Sequence, residues 1–286
     1  MEIRNKWLDA IRQHQPRIAL ADGNDPRTHR ASQQLQAWGV ENTVLVFDDP
    51  HSLIPEGLKV VRAEDALDHA VEMLVQGEVD AVVAGATRTT RDVLRAAVWK
   101  IGLAQDASTV SSSFLFELAD GRNVTYGDCA VIPEPTVEQL AAIAIFTAKT
   151  HEQLTAQQAK VAMLSFSTDG SAEHTSIDAV RAATDLVRTS QPDLLIDGEL
   201  QFDAAFVPEV AAVKAPKSSV AGEANVFIFP NLAAGNIAYK ITERIGGATA
   251  LGPLLQGLAK PLHDVSRGCS TSDLVDVAII AGYQAG

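Results

Sequence analysis

The spacing of hydrophobic and polar positions changes repeatedly along this chain, and the changes mark its elements. Residues 2–14 repeat at helical spacing, with Ile3, Trp7, Leu8 and Ile11 on one face. Ile18 to Ala21 is a short apolar run, the length of a buried strand. It enters the turn cluster DGNDPR, where Pro26 stands near a helix start. The helix that follows carries Ala31, Leu35 and Trp38 and stops at Gly39. Next come a strand at Thr43–Phe47, a polar loop over Asp48–Gly57, a strand at Leu58–Val61, a helix at Ala66–Gln76 and a strand from Val79 to Ala84. ATRTTRDVLRAAVWKIG then reads as a loop leading into a helix. Strand alternating with helix at this spacing predicts a parallel sheet covered on both faces.

The pattern shifts near residue 108. Ser108–Leu118 alternates as a strand, and Asn123–Tyr126 and Asp128–Ile132 read as two more. PEPT opens a helix over Val137–Lys149, with Pro135 close to its first turn. Lys160–Phe166 is a strand running into STDGSAEHTS and a long helix to about Thr189. A short strand at Leu194–Ile196, a helix at Asp203–Val213, a strand at Asn225–Phe229, a helix from Asn231 to Gly246 and a strand at Gly247–Gly252 follow. The last helix begins after Ser270. The expected fold is therefore α/β, with two α/β domains. Residues 1–115 with 262–286 form the first, and 116–261 form the second. Ligand sites in such folds lie at strand carboxyl ends and between domains.

Composition narrows the function classes. With 286 residues the chain is long enough for two cores. Apolar residues make up 47%, which excludes disorder. A formal charge of -13 argues against non-specific nucleic-acid binding and means that a polyanionic substrate needs a local cluster of Arg and Lys. Cys129 and Cys269, far apart in sequence, suit neither a metal site nor a disulfide framework and fit a reduced cytoplasmic setting. The N-terminus has no apolar signal core, and no apolar run reaches the roughly 20 residues needed to span a bilayer. The expected location is the cytoplasm, with no membrane partner.

Chemistry concentrates in SRGCSTSD, Ser266 to Asp273, which holds hydroxyls, a guanidinium, a thiol and a carboxylate at a loop-to-helix junction. Such a junction exposes N–H groups that favour anions, and Arg267 adds a full positive charge. An anionic group docking there, with Asp273 handling a proton, is one reading. The other is a capping box, Ser270-x-x-Asp273, with Asp in place of the longer Glu. STDGSA, with Ser167, Gly170 and Ser171, is either a backbone cradle for phosphate or an ordinary strand–turn–helix link. Arg95 needs a partner, which is an anionic ligand or a nearby carboxylate. Arg244 stands in the last turn of its helix, where the dipole also favours a cation. His174 and His263 lack metal-ligand spacing.

Five stretches together resemble the phosphate acetyl/butyryl transferase family, and phosphate acetyltransferase (phosphotransacetylase) within it. They are GDCAVIPEPTVEQLAAIAI, VAMLSFSTDGSA, DGELQFDAA, KAPKSSVAGEANVFIFPNLAAGNIAYK and SRGCSTSDLV, in the family's order. They run from about residue 125 to the C-terminus. The N-terminal part is similar in outline: ADGNDPR looks like the family's acidic turn, and AGATRTT like its A-x-H-T-T loop with Arg88 where His is usual. Between Ala63 and Val79 a helical segment usual in the family is missing.

The resemblance implies the reaction acetyl phosphate + CoA ⇌ acetyl-CoA + phosphate. It implies an isocitrate/isopropylmalate dehydrogenase-like architecture with the active site in a cleft, and a homodimer. CoA is then a substrate, with no tightly bound cofactor and no metal. The residue matching Asp273 takes the thiol proton, and those matching Ser266 and Arg267 act on acetyl phosphate and the transition state. Arg244, and Arg95 with it, go with the family's active-site arginines. Cys129 and Cys269 match cysteines near the site, and the family mechanism uses no cysteine nucleophile. Proton transfer from an ordinary thiol to an ordinary aspartate would cost roughly 6 kcal/mol, which a protein site can tune. Two alternatives stay open: a butyryltransferase-like enzyme for longer acyl phosphates, and a non-catalytic acetyl-CoA-binding regulatory domain of the kind found in some malic enzymes. An isocitrate-type dehydrogenase lacks support, since the chain has no dinucleotide fingerprint or acidic metal triad.

Overall fold

Short apolar runs from the two ends of the chain build one parallel sheet in the computed structural model, which describes residues 2–47 and 54–286. The elements are α1 (Glu2–His14), β1 (Ile18–Leu20), α2 (Pro26–Ala37), β2 (Asn42–Phe47), β3 (Val60–Ala63), α3 (Ala66–Gln76), β4 (Ala81–Ala84) and α4 (Thr90–Ala96), which continues as a π-helical turn over Ala97–Ile101. After the second unit the chain returns as β11 (Leu262–Asp264) and α10 (Thr271–Ala285). The strand order is β11-β4-β1-β2-β3, all parallel. β1 and β4 are buried at every residue, which is why they read as unbroken apolar runs. α10 packs on β4, β1 and α2, with α1 against it, while α3 packs on β2 and β4.

The second unit holds β5 (Ser111–Glu117), β6 (Asn123–Gly127), α5 (Val137–Thr155), β7 (Lys160–Leu164), α6 (Thr175–Ser190), β8 (Leu195–Leu200), α7 (Phe202–Phe206), α8 (Pro208–Lys214), β9 (Val226–Ile228) and α9 (Leu232–Arg244), and leads into β10 (Thr249–Gln256). Its mixed sheet runs β10-β5-β6-β9-β7-β8, with β5 and β6 antiparallel and β6, β9, β7 and β8 parallel. Alternation along the strands sorts two cores. Phe227, Ala162 and Leu164 join Phe114, Phe116 and Tyr126 on one face. Val226, Ile228, Val161 and Met163 join α5 and α6 residues on the other.

The two units are Met1–Ala107 with Leu251–Gly286, and Ser108–Ala250. A boundary at residue 115 would cut β5, and one at 261/262 would take Leu251–Pro261 from the first unit. Three expected elements differ, and one strand is new. Asp128–Ile132 is a loop, because the Asp128 carboxylate draws in the N–H groups of Ala130, Val131 and Ile132. The helix expected over 203–213 breaks into α7 and α8 at Val207, with Pro208 opening α8. β10 runs to Gln256 rather than ending at Gly252. β11 was not expected, since its three residues Leu-His-Asp carry no apolar run; the pairing Leu262↔Val82, His263↔Val83, Asp264↔Ala84 makes it a strand. Residues 48–53 of the expected polar loop lie outside the described residues.

Candidate active site

β1, β4 and β11 are parallel neighbours, so their carboxyl ends lie side by side, where open α/β sheets bind ligands. The loops leaving them interlock through two buried carboxylates. Asp22, after β1, accepts the N–H groups of Ala86 and Thr87, each at 3.0 Å, and the Thr87 hydroxyl. Asp264, the last residue of β11, accepts the Thr90 hydroxyl at 2.6 Å. Between them Gly85 takes a φ of +109°, and a Cβ there would overlap Asp264 and the Val265 backbone. Burial pushes the Asp264 carboxyl up to about 7; the Thr90 hydrogen bond opposes this, and nearby Asp22 adds to it.

SRGCSTSD leaves β11 at this edge. Ser266, Arg267 and Gly268 are exposed, and Cys269 is buried. The Ser266 Oγ accepts the Gly268 N–H at 3.2 Å, and its carbonyl accepts the Cys269 N–H at 2.8 Å, so the loop turns tightly. Arg267 makes no ion pair among the described residues, with Asp273 or any other carboxylate; its guanidinium faces solvent. Both readings of Ser270 and Asp273 meet here, because the capping box forms in full. The Ser270 Oγ accepts the Asp273 N–H at 3.1 Å, and Asp273 Oδ2 accepts the Ser270 N–H at 2.8 Å. Asp273 Oδ1 accepts no hydrogen bond among the described residues, and the side chain is half-buried. One turn on, the buried Asp276 lies 2.7 Å from Arg4 and is pushed up to about 6 by burial, with Arg4 opposing and Asp273 adding. Burial pushes the Cys269 thiol up to about 11, so at neutral pH it is a poor nucleophile.

This loop is held from beneath by a residue the sequence reading passed over. Arg27, in the first turn of α2, donates from Nη1 to the carbonyls of Arg267 and Cys269 at 2.8 and 2.7 Å and to Cys269 Sγ at 3.6 Å. Its Nη2 donates to the Ala86 carbonyl at 2.9 Å. Asp25, the N-cap of α2, holds the guanidinium from behind at 2.7 and 3.0 Å. The signal is DGNDPR itself, which reads as a turn, a helix start and a likeness to the family's acidic turn, none of which points to a clamp. Asp22 and Asp264 were missed for the same reason, since a buried carboxylate among loop residues has no periodic signature.

The expected arginines are exposed. Arg95 is 66% exposed and pairs weakly with Asp92 at 3.4 Å, so of its two expected partners the carboxylate is present. Arg88 pairs with Asp65 at 2.9 Å. Arg244, in the second unit, is 76% exposed and lies 3.3 Å from Glu243. His263 is buried and structural: its Nδ1 accepts the Leu255 N–H and its Nε2 meets Gln284, while burial pushes its pKa down to about 4. Among the described residues no group of three His, Cys, Asp or Glu side chains is placed to hold a metal ion.

Of the two readings of STDGSA, in the second unit, its backbone hydrogen bonds fit the ordinary turn. A phosphate cradle needs free N–H groups, and the five from Thr168 to Ala172 already have acceptors. Thr168 donates to Ser171 Oγ, Asp169 to the Glu199 carbonyl, Gly170 to Glu199 Oε1, Ser171 to the Thr168 carbonyl and Ala172 to Ser167 Oγ. Ser167 is fully buried and donates to Glu199 Oε1 at 2.8 Å. Glu199 is thus the centre of the turn. Burial would raise its pKa, but Arg181 at 2.6 Å, the Gly170 N–H and the Ser167 hydroxyl outweigh that and hold it at about 2. A cavity of about 540 Å³ opens beside Gly170, with Arg181, Arg188 and Lys217 on its walls.

Comparison with known proteins shows the family. The family model described as phosphate acetyl/butaryl transferase matches residues 50–282. A phosphate acetyltransferase of Thermoanaerobacterium thermosaccharolyticum is 38% identical over 100% of both chains, and one of Clostridium acetobutylicum is 39% identical over 100% of this chain and 99% of the relative. The first alignment spans 327 positions although this chain has 286 residues, so that relative carries residues with no counterpart here. A phosphotransacetylase from Streptococcus pyogenes superimposes with a TM-score of 0.92 at 34% identity, over 99% of this chain and 98% of that one. A branched-chain phosphotransacylase from Enterococcus faecalis shares the fold, with a TM-score of 0.80 at 22% identity over 94% and 99%. On full-length identity, the matching family model and the Ser266–Asp273 loop at the carboxyl edge of its sheet, the chain belongs to the phosphate acetyl/butyryl transferase family and is an acyltransferase.

Proposed function

We propose that this enzyme moves an acetyl group reversibly between acetyl phosphate and coenzyme A, by direct attack of the CoA thiolate in a ternary complex. The observation that carries the reading is the signature loop. An exposed hydroxyl and an exposed guanidinium, with no carboxylate partner among the described residues, stand at a strand carboxyl end, followed in the first turn of α10 by a carboxylate with one oxygen that accepts no hydrogen bond among them. Asp273 Oδ1 takes the proton of the CoA thiol. The thiolate adds to the acetyl carbonyl carbon, and Ser266 donates a hydrogen bond to the oxyanion that forms. The C–O bond to phosphate then breaks, and Arg267 stabilises the departing phosphate dianion. No covalent enzyme intermediate is needed, so the main contribution of the protein is orientation. Arg95, exposed and weakly paired, supplies positive charge for CoA and phosphate groups against the overall negative field. CoA is bound as a substrate rather than as a resident cofactor, and the protein works in the cytoplasm; among the described residues no helix is long and apolar enough to cross a membrane.

The enzyme acts as a homodimer. Ile237, Ile241 and Ile245 stand one turn apart along α9 at 59%, 51% and 83% exposure, an apolar stripe that a second copy would cover.

One assay tests the reaction: purified protein with acetyl phosphate and CoA, followed by direct detection of the thioester. Rapid acetyl-CoA formation supports the reading, and its absence from folded protein that still binds acetyl-CoA supports the regulatory alternative. Repeating the assay with propionyl and butyryl phosphate separates acetyl from longer-chain specificity; a higher kcat/KM for butyryl phosphate would assign the enzyme to the butyryl branch.

A further inference from the structure

Arg27 invites a closer look because it is the one cation at this edge that serves backbone rather than ligand. An arginine has five N–H donors in a rigid plane, and here one face of the fork is filled by Asp25 while the other reaches three carbonyls on two loops. Two of those carbonyls belong to Arg267 and Cys269, which flank Gly268 at the tip of the signature loop. The third belongs to Ala86, whose own N–H is held by Asp22. The loop side chains themselves point away: Ser266 and Arg267 are exposed, and Arg267 makes no ion pair among the described residues.

We propose that Arg27 is a positioning residue for acyl transfer, setting the conformation of the Ser266–Ser270 loop so that the Ser266 hydroxyl and the Arg267 guanidinium face the reacting acyl phosphate together. This inference rests on the reading of the reaction given above. The physical reason is geometric. Gly268 gives the loop tip a flexible backbone, and the turn's own two hydrogen bonds, Gly268 N–H to Ser266 Oγ and Cys269 N–H to the Ser266 carbonyl, do not engage the carbonyls of Arg267 and Cys269. A bidentate cation beneath the turn fixes the direction of both flanking carbonyls, and with them the plane of the peptides that carry the reacting side chains. Lysine cannot reproduce this, because one ammonium cannot reach Asp25, Ala86, Arg267 and Cys269 in the same plane. Asp25 belongs to the device, since it both caps α2 and orients the guanidinium.

The test uses the full-length enzyme and two variants, Arg27→Lys and Asp25→Asn. Asn is a good N-cap, so the second variant keeps α2 while removing the ionic anchor of Arg27. Two readouts are taken on protein shown to be folded by its thermal transition: kcat and KM for acetyl phosphate with CoA, and the labelling rate of Cys269 by a neutral maleimide, with the site identified by mass spectrometry. Cys269 lies under the clamp, so release of the loop exposes it, while the fully buried Cys129 serves as the internal control. The expected result for Arg27→Lys is a fall in kcat on the order of 10- to 100-fold, the scale of a misplaced catalytic group. Cys269 labelling should rise about tenfold or more, with Cys129 unchanged; the tenfold figure is roughly the loss of a local opening barrier. Asp25→Asn moves both in the same direction by less. The proposal is overturned by a folded variant whose kcat stays within about twofold of the parent (a change below that expected of misplacement), or by a fall in kcat with no change in Cys269 labelling. If Arg27→Lys does not fold, the same criteria apply to Asp25→Asn. Should the parent enzyme fail to form acetyl-CoA, the reading of the reaction fails, and the labelling contrast still reports whether Arg27 holds the loop.

Discussion

Asp273 carries two duties on its two oxygens: Oδ2 closes the capping box on the Ser270 N–H, and Oδ1 is left for the thiol proton. The duties separate by substitution. Asp273→Asn keeps an acceptor for the Ser270 N–H but loses basicity, so kcat should fall by about 10² or more while thermal stability changes little. Ser270→Ala removes the acceptor for the Asp273 N–H and should cost about 1 kcal/mol of stability. It also frees the Asp273 side chain to rotate, which lowers kcat less than loss of the base does. Steady-state kinetics and thermal melts on both variants check the division, and near-normal turnover of Asp273→Asn would remove the base role. Two buried carboxylates make opposite pH predictions. Glu199, held at about 2 against an ordinary 4.5, contributes roughly 3 kcal/mol that is present above pH 4.5 and lost as the pH falls toward 2. Asp264, pushed to about 7 from 3.8, works the other way: its contribution of roughly 4 kcal/mol is present below 3.8 and lost as the pH rises through 7. Urea unfolding across pH should therefore show Glu199→Gln losing the acid-side slope. Asp264→Asn, which can still accept the Thr90 hydroxyl, should gain relative stability above pH 7. Identical pH profiles for parent and variants would contradict both assignments.

At the scale of elements, close packing in the second unit depends on a few small residues. α9 crosses the loop after β6 at Gly235, where a Cβ would overlap the Asp128 carbonyl and crowd Cys129. Gly235 is the one buried residue of that helix, and its φ is not in the left-handed region, so its role is close approach rather than turn geometry. Gly235→Ala gains up to about 1 kcal/mol of helix propensity and loses about 1–3 kcal/mol to overpacking. A net loss of stability, read from denaturant midpoints, is expected; stabilisation would show that α9 can shift. The same loop explains why Asp128–Ile132 does not continue as a strand. Its apolar residues suit a ladder, but one carboxylate gathering successive N–H groups offers the backbone a better set of partners. β11 is the converse case. Leu-His-Asp has no strand pattern, yet the free edge of β4 pairs with it and so delivers Ser266 and Arg267 to the carboxyl ends of β1 and β4.

For the whole molecule, the exposed stripe Ile237, Ile241 and Ile245 sets the test of assembly. Ile241→Glu places a charge in the middle of it, which would have to be desolvated in a dimer. Light scattering should show a dimer for the parent and a monomer, or at least a tenfold weaker dimer (about 1.4 kcal/mol), for the variant. A dimer of unchanged strength would move the interface elsewhere. The connections β3–α3 and α3–β4 are short, with only Glu64 and Asp65 between β3 and α3. The relative from T. thermosaccharolyticum carries residues absent here.

The alternation of strands and helices, the helix caps and the family of the chain were legible from the amino acids, because each depends on local spacing or on contiguous motifs. STDGSA shows the limit: as a string it fits either an anion cradle or a turn, and only Glu199, from another strand, decides by occupying its donors. Asp264 and the Arg27 clamp were invisible for the same reason, since Thr90 lies 174 residues from Asp264, and Arg267 and Cys269 lie 240 and 242 residues from Arg27. Periodicity reports which face of an element is buried. Which loop ends share one edge of a sheet, and whose carbonyls a half-buried arginine reaches, follow from strand order, and strand order is decided by non-local pairing that no window of sequence contains.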